Sequence, residues 1–498
     1  MHKDKAKKSP KFFLILSILL VIFTIITNIY IIHAELFSIF YDIIIVLISG
    51  FLTFCLVKLL NSKLKKFFKI IVSFIVFLII IIEGLLMIFG TKALKFISNL
   101  TDTGYRVNTY GIYVLKDSSY SSLSDLDGKN IGYLNLSDGD IINDALDKLK
   151  NKVSIGDTLS KDSLTDLYSG LDASYVAIVM NVSYEDVFKD EYPDEFDNLR
   201  MIDTIDVVTI VNTLKSDKDV TSSPFTIYIS GIDTSGEVSS SARSDVNIVL
   251  SVNHSTKQIL MISTPRDTYV TLGNNGKKDK LTHAGIYGIE DSVSTLEKLY
   301  DMDIDYYVRV NFTSFIKIIN TLGGVEVDVP ADFCESDENR STKTKDQICL
   351  SKGVQTLTGE QALALARNRH AFAAGDVARG EHQMLILQAI INKLSDVSSV
   401  SKLSEIIDDM NGRVSTNMST TSMYKFARMQ IKEDIKWNFT SVSLEGDGGY
   451  GKCYSLGNDS SYVMYPDSSS VSYIHGAYES LINGEEISTT STTTSSGN

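Results

Sequence analysis

Acidic and guanidinium side chains recur at the borders of apolar runs along the second half of this sequence. Asp233 follows the run FTIYIS; Arg243 and Asp245, in SARSDVNIVL, stand just before another; Arg266 and Asp267, in STPRDTYV, stand just after a third. Further on, GEQALALARNRH sets Arg367 and Arg369 at the end of an apolar helical pattern. GDVARGEHQMLILQAI opens the next with Asp376, Arg379 and Gln383, whose spacings of three and four share one helical face. Guanidinium forks pair bidentately with phosphate oxygens and keep their charge. Carboxylates such as Asp233 and Asp245 are hard oxygen ligands suited to Mg²⁺ or Mn²⁺, which keeps waters and shares phosphate oxygens. The ligand that fits the whole set is a pyrophosphate bound with a divalent cation, and the same charges would stabilise a phosphoryl-transfer transition state. One Arg–Asp pair alone is more often a solvated surface bridge. Five clusters of one chemistry, each beside an apolar element, point instead to a common site. Lys280 and His283, in DKLTHAGIYG, are weaker members, because a lone histidine is more often packed or hydrogen-bonded than catalytic.

For these groups to meet, the elements carrying them must converge. FTIYISGID, NIVLSVN and QILMIST are close enough in sequence to be neighbours in one sheet. An antiparallel arrangement would gather Asp233, Arg243 with Asp245, and Arg266 at one edge. Helices are predicted at Ser292 to Tyr300, Thr313 to Asn320, Gly359 to Arg367 and Arg379 to Leu394, packed in layers on that sheet. Met384 to Ile391 is apolar on nearly every side, which predicts burial. Upstream, Gly104 to about Leu214 reads as a separate α/β region. Strand-like runs at Tyr110 to Leu115, Ile131 to Leu134 and Tyr175 to Met180 alternate there with a helix from Asp140 to Leu149. SLSDLDGKNIGYL and LYSGLDASYVAIVM resemble one lobe of an extracellular solute-binding protein; the alternative is a spacer with no ligand of its own. The polar stretch Lys215 to Ser223 separates the two regions.

The first 90 residues differ in kind. Phe12 to Ile32, Leu36 to Val57 and Ile70 to Phe89 each approach the length that crosses a hydrocarbon core. Lys and Arg crowd the first eleven positions and Asn61 to Lys69 but are missing from His33 to Glu35, so the basic ends belong in the cytoplasm and the chain beyond about Thr91 outside it. A cleavable signal peptide is disfavoured, because no small-residue cleavage pattern follows the first run and two more runs come directly after. Asp42 and Glu83 lie within spans two and three and are expected to face other helices. A net charge of −14 disfavours a general affinity for nucleic acid. No CxxC or Cys/His spacing cages zinc; Cys334 and Cys349 either pair across a polar loop, worth roughly 3 kcal/mol, or stay free. The expected division is a cytoplasmic basic N-terminus at 1–11, three transmembrane helices at 12–90, an α/β accessory domain at 91–222, an α/β catalytic domain at 223–484 and a disordered Ser/Thr tail at 485–498.

Taken in order across roughly Pro224 to Lys402, SGIDT, RSDVN, STPRDTYV, KLTHA, LGGVEVDVP, GEQALALARNRH and GDVARGEHQ resemble the LytR-CpsA-Psr (LCP) family of cell-wall ligases. The three spans and the accessory region resemble its capsule-associated CpsA-like branch. The resemblance implies an LCP domain with a central mixed sheet flanked by helices. It also implies an extracytoplasmic, metal-dependent phosphotransferase that moves a capsular or other cell-wall glycopolymer from undecaprenyl pyrophosphate to peptidoglycan. Asp233 and Asp245 match the family's metal-binding acids; Arg243, Arg266, Arg367, Arg369 and Gln383 match its pyrophosphate-binding set, to which Lys280 and Arg379 are added. Asp233, Arg243, Asp245, Arg367 and Asp376 are the catalytic candidates, and capsule-synthesis membrane proteins join the lipid-linked donor, peptidoglycan and membrane lipid as candidate partners. The family houses the polyprenyl tail in an apolar tunnel, for which Met384 to Ile391 is one candidate wall; core packing explains those side chains equally well. Two departures stand out: His382 replaces an arginine frequent in the family, and GIYGIEDS lacks the double glycine common after KLTHA. Two other readings stay open: a lipid pyrophosphate hydrolase using the same residues, and a non-catalytic membrane regulator of capsule synthesis.

Overall fold

A computed structural model gives the fold and describes all residues except 1–9, 34–38, 63–64, 101–104, 137–138, 211–213, 215, 217, 234–240, 337–346, 369–375, 396–413, 458 and 488–498. Most of the expected Ser/Thr tail therefore lies outside the described residues. The chain divides into two compact units, Met1–Ser98 with Ser419–Lys432, and Asn99–Met418 with Glu433–Asn498.

In the first unit, α1 (Pro10–His33), α2 (Ile39–Asn61) and α3 (Lys66–Leu100) contain stretches long and apolar enough to cross a membrane, at Phe12–Ile31, Ile43–Asn61 and Phe67–Gly84. The third helix outruns its expected end because TKALKFISNL contains no proline or glycine to stop it. Thr24 on α1 donates to Glu83 on α3 at 3.0 Å and lies 3.1 Å from Thr53 on α2, so the acid is met by neighbouring helices. The side chain of Asp42 lies outside the described residues.

The second unit is built on two mixed sheets among the described residues. The first has the order β3-β2-β4-β1-β5, from β1 (Tyr105–Leu115), β2 (Ile131–Leu134), β3 (Thr158–Lys161), β4 (Ala177–Asn181) and β5 (Leu199–Ile210). Its helices are α4 (Gly139–Lys152), α5 (Leu164–Ser169), α6 (Glu185–Glu191) and α7 (Pro193–Asp197). The second sheet contains β6 (Phe225–Ile232), β7 (Val246–Asn253), β8 (Gln258–Ser263) and β11 (Tyr306–Asn311), while β9 (Tyr269–Thr271) and β10 (Lys278–Lys280) pair with each other. β13 (Phe333–Ser336) and β14 (Gln347–Leu350) pair between β12 (Val325–Val329) and β15 (Gly353–Leu357), which pair with each other, and β16 (Val414–Thr416) and β17 (Asn438–Ser443) complete the order β16-β11-β6-β7-β8-β17. A last hairpin pairs β18 (Gly446–Lys452) with β19 (Ser460–Pro466).

β7, VNIVLSVN, is buried along nearly its whole length, as a strand covered on both faces must be. One cover is α9 (Ile289–Tyr300) with the helix Ser468–Asn483, whose Val293, Leu296, Ile474 and Leu481 pack on Tyr228, Val249 and Ile262. The other includes α12 (Asp376–Ser395): a Cβ on Gly380 would lie 2.4 Å from Oγ of Ser263, which alternates with Ile262 and so points to the opposite face. α10 (Phe312–Leu322) and α11 (Gly359–Arg367) pack beside α12 around Ile319, Leu365 and Ile386. Between β10 and α9 lies the short α8 (Leu281–Ala284). Cys334 and Cys349 stand opposite each other on β13 and β14 and are disulfide-bonded, while Cys55 and Cys453 are free.

Tyr113, Leu164, Phe188 and Leu199 share one apolar cluster with Ile286, Leu456 and Val463, so the two α/β regions bury surface against each other instead of meeting through a linker.

Asp291, on the first turn of α9, is fully buried, with one oxygen accepting the Asn274 N–H at 2.6 Å and Oδ2 lacking a hydrogen-bond partner among the described residues. Burial pushes its pKa up to about 6. Folding thus disfavours the ionised form, and this group's contribution to stability falls as pH rises from about 4 through 6. Asp291→Asn is expected to stabilise the protein by about 2 kcal/mol at pH 8, with the gain vanishing near pH 4. Thermal melts of both proteins at the two pH values check this, and equal melting temperatures at pH 8 would contradict it.

Candidate anion-binding active site

The strand directions decide which residues meet. β6 and β7 are antiparallel with Gly231 opposite Val246, β7 and β8 are antiparallel with Ile248 opposite Ser263, and β11 runs parallel to β6 with Asn311 opposite Ile232. The ends of β6, β8 and β11 and the start of β7 therefore share one edge, where the loops carrying Asp233, Arg243 with Asp245, and Arg266 with Asp267 emerge. The loop before β7 is pinned by three backbone bonds: Ala242 N–H to Gly285 O (3.1 Å), Ser244 N–H to Thr282 O (3.1 Å) and Asp245 N–H to Gly231 O (2.9 Å). The Arg266 carbonyl accepts from the Thr282 N–H at 2.9 Å, which ties the third loop to the KLTHA segment.

Arg266 is the centre of the network. Its Nη1 donates to Asp245 at 2.8 Å, its Nε lies 3.7 Å from Asp267 and its Nη2 lies 3.7 Å from Asp190. Arg243 Nη1 meets the same Asp190 at 2.5 Å, Thr282 Oγ1 donates to Asp245 at 3.2 Å, and Lys280 Nζ pairs with Glu191 at 2.7 Å and lies 3.9 Å from Asp267. Burial alone would raise the pKa of Asp245, but Arg266 and Arg243 outweigh it and hold the carboxyl below its usual range. Burial likewise opposes the Arg266 cation, yet Asp245, Asp267 and Asp190 keep its pKa above the ordinary value. The Nε atoms of Arg243 and Arg266 are buried without a hydrogen-bond partner among the described residues, an unmet donor capacity that an anionic ligand could use.

Two contributors went unread in the sequence. Asp186, Asp190 and Glu191 come from α6 of the upstream region, where EDVFKDE looks like a solvated acidic face. Burial, together with the neighbouring Asp245 and Asp190, raises the pKa of Asp186 against the opposing effect of Arg243. Arg309, the one charged residue in YYVRVN, is buried on β11 and reaches Ser230 Oγ at 3.3 Å and Ser244 Oγ at 3.4 Å. A cation on the inward register of a strand was the signal available for it.

The remaining predicted residues lie on the helical side. Phe312 follows Asn311, whose register partner on β6 is Ile232, the residue before Asp233. The Arg367 guanidinium sits over the Phe312 ring, 5.1 Å from its centroid, which brings the end of α11 to the same sheet edge. Gln383 donates to the Ala366 carbonyl at 3.1 Å, and buried Arg379 lies one turn before it on α12. Asp376 begins α12, with its side chain outside the described residues, as is the whole of Arg369. His382 is buried, which lowers its pKa and leaves the ring neutral where an arginine would carry charge. His283 is a packing residue: its Nδ1 lies 2.6 Å from buried Asp279, which also accepts from Ser455 N–H and Oγ at 2.7 and 2.5 Å. The expected burial of Met384 to Ile391 is only partial. Met384, Ile386 and Ala389 are buried, but Leu385 is 39% exposed, because α12 covers the sheet with one face and turns the other outward.

Among the described residues no three His, Cys, Asp or Glu side chains form a metal cage. The acids at this edge are hard oxygen donors, and a cation bound by one or two of them would complete its shell with phosphate oxygens and water.

The sequence signature of the LytR_cpsA_psr family matches residues 200–470. TagT of Bacillus subtilis strain 168, named a polyisoprenyl-teichoic acid–peptidoglycan teichoic acid transferase, is 40% identical over 199 residues, which are 39% of this chain and 60% of TagT. TagU of the same strain, named for the same transfer, is 32% identical over 246 residues, covering 47% of this chain and 76% of TagU. The crystal structure of B. subtilis TagV aligns with a TM-score of 0.44 at 31% identity, over 52% of this chain and 98% of that one. The signature spans the sheet, the arginine loops and both helices that complete the edge, and the match to TagU extends over three quarters of that relative; this chain belongs to the LytR_cpsA_psr family.

Proposed function

We propose that this protein is an extracytoplasmic phosphotransferase that moves a capsular or other cell-wall glycopolymer from a polyprenyl-pyrophosphate carrier to peptidoglycan. The carrying observation is the largely shielded array of Arg243, Arg266 and Lys280 with Asp245 and Asp267 at one sheet edge, in a chain whose relatives TagT and TagU are named polyisoprenyl-teichoic acid–peptidoglycan teichoic acid transferases. Arginine forks held in place before the substrate arrives are suited to a diphosphate whose charge grows as the bond breaks. A hydroxyl of the acceptor sugar attacks the phosphorus nearer the glycan, polyprenyl phosphate leaves, and the hydroxyl proton passes to Asp233 or Asp245. The anhydride of the donor supplies the driving force, so no nucleotide is needed. Mg²⁺ or Mn²⁺, held by Asp233 and Asp245, would neutralise diphosphate charge. The three apolar helices anchor the enzyme beside its lipid-linked donor, with the basic ends of the spans in the cytoplasm and the α/β unit outside.

The test uses the full chain in detergent with Mg²⁺, a polyprenyl-pyrophosphate-linked saccharide and peptidoglycan sacculi. Saccharide covalently joined to the wall, lost in Asp245→Asn, is the expected outcome. Free saccharide phosphate with none joined would identify a hydrolase. Unchanged wall-bound polymer in cells carrying Arg243→Ala would favour a non-catalytic regulator.

A further inference from the structure

The cations at the sheet edge already hold anions, and two of those anions come from outside the segment that matches the family. Asp190 and Glu191, at the end of α6, precede residue 200, where the family match begins. One Asp190 oxygen sits 2.5 Å from Arg243 Nη1 and 3.7 Å from Arg266 Nη2, and Glu191 takes Lys280 Nζ at 2.7 Å and Ser461 Oγ at 2.8 Å. The cations lie deeper than the acids: the side chains of Arg243, Arg266 and Lys280 are 9%, 17% and 8% exposed, against 44% for Asp190 and 24% for Glu191. The acids thus stand on the solvent side of the site, which is the side from which a ligand arrives.

We infer that the end of α6 is a built-in anionic cap, which occupies the diphosphate site of the resting enzyme and must give way to the donor. The inference rests on the site reading above. A carboxylate offers one negative charge and two oxygens, whereas a diphosphate brings more of both and can span Arg243, Arg266 and Lys280 together. The donor therefore outcompetes the cap at a cost in apparent affinity, since only the uncapped fraction binds. After transfer the leaving group is a monophosphate, a weaker competitor, and the cap closes on the cations and favours its release. α6 is held from behind by Phe188, buried among Tyr168, Tyr192 and Phe196, and Tyr192 donates to Asp459 at 2.8 Å. The carboxylate ends can swing outward without unmaking that anchor.

The experiment measures Kd by calorimetry on the full-length protein in detergent with Mg²⁺, using inorganic pyrophosphate and, separately, orthophosphate. The double variant Asp190→Asn/Glu191→Gln is expected to bind both about tenfold more tightly than wild type. A control with the same charge change on α7, Asp194→Asn/Glu195→Gln, should leave both values unchanged. Unchanged or weaker binding in the first variant, or an equal gain in the control, overturns the cap. Arg243→Ala is expected to abolish pyrophosphate binding in either background. If binding survives that change, the reading of the site itself fails; if it is lost but the cap variant shows no gain, only the cap fails. Should the double variant not fold, the single variants Asp190→Asn and Glu191→Gln decide: tighter pyrophosphate binding in either supports the cap, and unchanged or weaker binding in both overturns it.

Discussion

Replacing Arg266 by alanine is expected to lower glycopolymer transfer at least a thousandfold and to destabilise the α/β unit by about 3 kcal/mol. Both effects have one origin. Arg266 is the partner of Asp245 at 2.8 Å and lies within 3.7 Å of Asp190 and Asp267, in a place where all these groups are largely withdrawn from water except Asp190. Its loss removes the fork assigned to the proposed diphosphate donor and leaves a shielded carboxylate without its main counter-charge. Arg266→Lys separates the two contributions. An ammonium keeps the charge and so most of the stability, but it loses the planar pair of donors, and activity should remain at least tenfold down. Transfer rates and melting temperatures of the two variants are the measurements. A folded Arg266→Ala protein with near-normal transfer would remove the arginine array from the mechanism.

The second large effect is expected at a residue that touches no ligand. A methyl group on Gly285 would lie 2.3 Å from the Ala242 carbonyl oxygen, 2.8 Å from Ser244 Oγ and 3.0 Å from Ser244 N. Two of the three obstacles are backbone, and the Gly285 carbonyl itself accepts the Ala242 N–H, so the loop cannot retreat without breaking its anchor. Gly285→Ala should therefore push the segment carrying Arg243, cost about 2–3 kcal/mol and reduce transfer ten- to a hundredfold while the sheet persists. Circular dichroism, melting temperature and transfer rate check this. A variant with full activity would show that the loop has slack that its three backbone bonds do not suggest.

Much of this molecule is legible in its sequence because the signals are local. Apolar length marks three helices long enough to cross a membrane, and β-rich runs separated by a few residues mark adjacent strands. Gly359–Arg367 appears as predicted because Thr358 caps it, accepting from the Gln361 N–H while the Gln361 side chain returns to the Thr358 N–H. The grouping of Arg243, Asp245 and Arg266 also follows from chain order, since antiparallel neighbours joined by short connections must present alternate loops at one edge.

What lies beyond sequence reading is everything that depends on distant segments meeting. Glu191 and Lys280 are 89 positions apart, and Asp190 and Arg243 are 53 apart. No periodicity in EDVFKDE distinguishes a helix end that faces solvent from one that caps a cationic site. The same holds for α12, whose apolar sequence suggested burial all round but whose packing against a single sheet leaves Leu385 facing outward. Composition and spacing determined which residues carry charge, which runs become strands and helices, and hence that an arginine-rich edge would exist. Only the tertiary structure decided which carboxylates face those arginines, because a fixed charge in a shielded place takes its partner from whatever surface the rest of the fold packs against it.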